Sequence, residues 1–74
     1  MKHTIYLQAK AQLIERAKEL KGNSDKNMVR QSLNDLLGNL LRGLYFETMR
    51  ENISTKTYVI YNRWLENLCC SLHP

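Results

Sequence analysis

The sequence predicts a mainly α-helical fold in a single domain of 74 residues, and three observations carry that expectation. The chain has one proline, at its very end, and three glycines, which leaves little room for long loops. Apolar residues recur at steps of three and four, the period of a helix with one covered face. Gly22 stands where one periodic stretch ends, and Asn23 and Ser24 follow it as good helix N-caps. A chain this short buries a small core, and oligomerisation is a common remedy.

Residues 9–21 are rich in Ala, Gln, Leu, Glu, Lys and Arg, all good helix formers. Leu13, Ala17 and Leu20 share a face, and Lys21 precedes Gly22 in the last turn. The next helix begins after Asn23 and Ser24, with Asp25 adding negative charge to its first turn. Met28, Val29, Leu33, Leu36, Leu37, Leu40, Leu41 and Leu44 then form an apolar face broad enough for more than one neighbour. Gly38 and Gly43 interrupt it, each costing about 1 kcal/mol against alanine inside a helix. Either the helix ends near Gly38 and another begins, or the glycines permit close helix contact. Tyr45, Phe46 and Met49 extend the pattern to about residue 50. Ser54 is a candidate cap for a last helix over residues 55–72, where Tyr58, Tyr61, Leu65, Leu68 and Leu72 form a seam flanked by Trp64.

The first residues admit two readings. Thr4, Ile5 and Tyr6 favour strands, and alternation puts His3, Ile5 and Leu7 on one face and Lys2, Thr4 and Tyr6 on the other. A strand this short needs a partner from another chain. The competing reading continues the first helix backwards, with Tyr6, Ala9, Leu13, Ala17 and Leu20 on one face. The strand reading is the expectation adopted.

Charge is uneven. Residues 1–30 hold Lys2, Lys10, Arg16, Lys18, Lys21, Lys26 and Arg30 against Glu15, Glu19 and Asp25, while residues 31–74 are neutral, so the whole formal charge of +4 lies in the first part. A basic segment points to a polyanion such as DNA. The other reading is a solvated, lysine-rich helix face.

Strand, helix, glycine turn and helix together resemble the ribbon-helix-helix family of DNA-binding proteins. The resemblance covers residues 2–37 and is carried by Lys2-His3-Thr4-Ile5-Tyr6-Leu7, by Leu13, Ala17 and Leu20, and by Gly22 and Ser24 with Met28, Val29, Arg30 and Leu33. It implies a homodimer whose paired N-terminal strands enter the DNA major groove. Lys2, Thr4 and Tyr6 would contact bases. Asn23 and Ser24 would hold a phosphate at the second helix N-terminus, with Lys26 and Arg30 adding charge. Ile5, Leu7, Leu13, Val29, Leu33 and Leu36 would form the dimer core. Residues 1–37 are then the core of the domain, and residues 38–74 a helical extension able to make a tetramer through residues 55–72. The implied function is a transcriptional repressor or a plasmid or phage control protein. Gln8 and Ala9 depart from the family, which commonly opens its first helix with Ser, Asp or Pro, and Asp25 sets a negative charge beside the phosphate anchor.

The alternative is an all-α bundle of three or four helices that binds and modulates another protein without touching DNA. Its partner would be a host or regulatory protein.

Other classes find little support. No Ser/His/Asp or Cys/His set has a recognisable signature and no glycine-rich phosphate loop is present, so an enzyme is not expected, nor any cofactor. Cys69 and Cys70 are adjacent, with neither disulfide nor metal spacing, and fit a reducing cytosol. No apolar run approaches membrane-spanning length. A cytoplasmic protein with no membrane partner is the expectation.

Overall fold

The computed structural model describes residues 4–72. They form three helices: α1 (Thr4–Glu19), α2 (Lys26–Met49) and α3 (Thr55–Leu72). No strand occurs among the described residues. Each helix packs against both others, and the bundle measures 41 × 19 × 16 Å. At about 1.5 Å per residue, α2 alone runs most of the long axis.

The structure corrects the strand reading at Thr4–Leu7, which form the first turn of α1. The physical reason is in the packing. A helix carries Ile5, Tyr6 and Ala9 onto the face of Leu13, where they meet α2 and α3. A lone strand would leave its backbone groups without partners. Lys2 and His3, the start of the expected strand, lie outside the described residues. The resulting architecture is the all-helical one.

The turn after α1 is as expected. Gly22 has φ of 85°, in the left-handed region, and the Asn23 N–H donates to Leu20 O at 3.1 Å. The cap of α2 shifts by one residue from the expectation. Asp25, in extended conformation, accepts from Met28 N at 3.1 Å, while Asn23 Oδ1 accepts from Asp25 N at 2.8 Å. α2 then continues through Gly38 and Gly43 without a break. The apolar face between Leu33 and Leu44 outweighs the propensity lost at the two glycines. Glu51 (φ 63°) turns the chain after α2, and its N–H donates to Thr48 O at 3.0 Å. Ser54 caps α3, its Oγ accepting from Thr57 N at 3.1 Å.

The core has two connected parts. Ala9, Leu13, Leu44, Tyr61 and Leu65 form the larger. Val29, Leu33 and Cys69 form the smaller, and Leu37 and Leu72 pack against both. α3 therefore belongs to the core and is not appended to a finished two-helix unit. At Asn34, which accepts from the Cys69 thiol at 3.7 Å, and at Tyr58 beside Tyr45, α3 borders α2.

Candidate functional site: two exposed apolar faces

The base-contact residues expected from the ribbon reading are dispersed. Lys2 lies outside the described residues. Thr4 is exposed at the first turn of α1. Tyr6 is half-buried and faces inward, stacked on Tyr61 of α3 with ring centroids 5.3 Å apart and meeting Trp64 edge-on at 5.2 Å. The phosphate-contact residues Asn23, Ser24, Lys26 and Arg30 are all exposed around the turn and the start of α2. There the Asp25 carboxylate already accepts one of the free N–H groups. Of the expected dimer-core residues, Leu13, Val29 and Leu33 are buried within a single chain, Ile5 and Leu36 pack partly buried against that same core, and Leu7 is 55% exposed.

The aromatic residues organise the first face. Tyr6, Tyr61 and Trp64 are in mutual contact, the last pair at 5.7 Å. Tyr61 is buried beneath, while Trp64 remains 43% exposed. Ile60, four residues before Trp64 and on the same flank of α3, is also exposed. The α1 side of this face follows from the helical register. Gln8, Gln12 and Arg16 turn toward α2, the last donating to Ser32 Oγ at 3.0 Å. Tyr6, on the other flank of α1, borders α3 through Tyr61 and Trp64. Ile60 and Trp64 thus form an apolar edge on α3 beside the stacked tyrosines.

No family model matches the chain, and no characterised protein or solved structure is detectably similar to it.

A second face lies on the far half of α2. Tyr45, Phe46 and Met49 are exposed there, Tyr45 with its ring 6.2 Å from Tyr58 and 6.3 Å from Phe46. Met28, at the other end of the same helix, is exposed as well. Among the described residues, eight large apolar side chains are exposed, as many as the residues that form the core. Scattered apolar surface is ordinary, but clusters of this kind mark contact sites. The sequence marks these residues as part of an apolar pattern, and only the packed bundle shows which of them the core leaves uncovered.

The described residues bring together no group of three His, Cys, Asp or Glu side chains able to hold a metal. No described helix is long and apolar enough to cross a membrane. Burial beside Leu33 and Val29 pushes the Cys69 thiol above its ordinary pKa, and neighbouring Cys70 raises it further. A thiol so placed is a poor nucleophile at neutral pH.

Proposed function

We propose that this chain is a helical protein-interaction module that binds and modulates a partner protein through the face shared by α1 and α3. One observation carries the reading: Trp64 stays 43% exposed although Tyr6 and Tyr61 hold its ring in place. A pre-positioned aromatic anchor loses little side-chain freedom on binding, and tryptophan and tyrosine dominate the energetics of protein interfaces. Ile60, one turn before Trp64 on the same flank of α3, enlarges the anchor. The basic balance of residues 1–30 favours an acidic partner segment. Adjacent cysteines without disulfide spacing fit a reducing compartment such as the cytosol.

The test is a comparison of complexes captured by the tagged chain from the cells that encode it. The reading expects a defined protein that is retained by the wild type and by Lys18→Ala but reduced at least tenfold by Trp64→Ala. Identical partner sets for wild type and Trp64→Ala would overturn it.

A DNA-binding reading is favoured by one observation, the exposed cations Lys18, Lys21, Lys26 and Arg30 around the α1–α2 turn. In its ribbon-helix-helix form it needs Thr4–Leu7 to leave α1 and residues 2–7 to pair with a second chain. It expects duplex DNA to be shifted at low salt, with affinity falling steeply as salt rises. No shift at low salt removes it.

A further inference from the structure

Gly38 is exposed in the middle of α2, and a Cβ built there would meet nothing within 4 Å. The fold of a single chain has no steric need for this glycine, which weakens the helix it sits in. From Gly38 a seam runs both ways along the outer side of α2: Gln31, Asp35, Gly38, Arg42, Tyr45 and Met49. Its steps alternate between four and three, the spacing of a helix that packs lengthwise on another helix. All six residues are exposed.

We propose that this seam is a homodimer interface, in which α2 of one protomer lies antiparallel across α2 of its partner with the two backbones crossing at Gly38. The charges select the occupant and its direction. Asp35 and Arg42 lie equally far on either side of a centre between Gly38 and Asn39. An antiparallel two-fold through that centre sets Asp35 against the partner's Arg42, and by symmetry makes the pair twice. A parallel arrangement would oppose Asp35 to Asp35 and Arg42 to Arg42. Neither charge forms an ion pair with another described residue. Arg16, which lines the same shallow hollow as Asp35, is engaged with Ser32 at 3.0 Å and Glu19 at 3.6 Å. The same two-fold brings Met28 opposite Met49, so both ends of the seam close on apolar side chains. Glycine at the crossing lets the backbones approach closely.

The surface area is consistent with a missing partner. The chain exposes 5366 Å², whereas a monomer of 8.7 kDa is expected to expose about 4700 Å². The excess goes with the elongated shape of the bundle, 41 × 19 × 16 Å, which leaves the outer side of α2 open along its length. The radius of gyration, 12.9 Å, likewise exceeds the ~11 Å expected for a compact chain of this length. This interface is separate from the Trp64 face, so the two stand or fall independently.

The experiment is sedimentation of the full chain over a wide concentration range, as wild type, Asp35→Arg, Arg42→Asp and the double swap. Circular dichroism checks that each variant folds. The wild type is expected to dimerise. Each single swap places two like-charged pairs across the seam and is expected to weaken dimerisation at least tenfold. The double swap restores opposite charges and is expected to recover it. A wild type that stays monomeric at several hundred micromolar, a dimer indifferent to the single swaps, or a double swap that fails to recover would each overturn the proposal.

Discussion

Tyr6 near the start of the chain stacks on Tyr61 in the last helix, with ring centroids 5.3 Å apart and planes inclined by 27°. This contact closes the bundle, because it ties the first turn of α1 to the middle of α3 across 55 residues of sequence. It also decides what the first residues are. A tyrosine that packs inward from a helix is no longer one of three outward side chains on a ribbon.

Tyr6→Ala therefore tests the fold at its weakest joint. Removing a half-buried ring with two aromatic neighbours is expected to cost roughly 2–3 kcal/mol. Urea denaturation followed by circular dichroism measures it. Glu15→Ala, at an exposed position of the same helix, is expected to change stability by less than about 0.5 kcal/mol.

Leu33 and Leu13 are fully buried in the smaller and larger parts of the core. Leu33→Ala is expected to cost about 2–5 kcal/mol. A domain of this size has little more than that to lose. The variant should show a broad or absent thermal transition at temperatures where the wild type is folded.

The capping geometry makes a finer prediction. The Asp25 carboxylate accepts the Met28 N–H, whereas Ser24 has no such role at the start of α2. Asp25→Ala is expected to cost about 1 kcal/mol, and Ser24→Ala a few tenths at most. Gly22→Ala, at φ of 85°, is expected to cost about 1 kcal/mol or more because alanine is strained there. All three are read from shifts of the denaturation midpoint.

Cys69 and Cys70 are expected to part company toward thiol reagents. Cys70 is exposed and should be alkylated in the folded chain, while Cys69 reacts only on unfolding. The Cys69 pKa is raised in the folded state. Below the ordinary thiol pKa of 9.0 the group is protonated in both states and has no effect. As pH rises past that value the unfolded chain ionises first, so stability is lost. Cys69→Ala, which removes the titrating thiol, is expected to flatten that alkaline loss.

Much of this architecture is legible in the residues. Gly22 marks the first turn because a left-handed residue is needed there, and Tyr58, Tyr61, Leu65, Leu68 and Leu72 describe α3 by their spacing alone. The first residues are not legible in the same way. Ile5, Tyr6 and Leu7 are three consecutive apolar side chains, which satisfy a period of two and a period of 3.6 equally. What separates the periods is a contact with Tyr61 and Trp64, far along the chain. Gly38 and Gly43 mislead in the other direction. They suggest a helix end, yet Leu36, Leu37, Leu40, Leu41 and Leu44 bury enough surface together to carry α2 past both. The candidate site is legible only in part: the sequence shows Trp64 and its tyrosines as aromatics, but only the packed bundle shows Tyr61 covered and Trp64 partly exposed.

The most direct test is the solution NMR assignment of Thr4–Leu7 in the full chain. Helical Cα chemical shifts through these residues, with cross-peaks between the Tyr6 and Tyr61 rings, are the predicted result. Extended-chain shifts, with cross-strand contacts between the same residues of two protomers, would contradict the all-helical account and restore the ribbon.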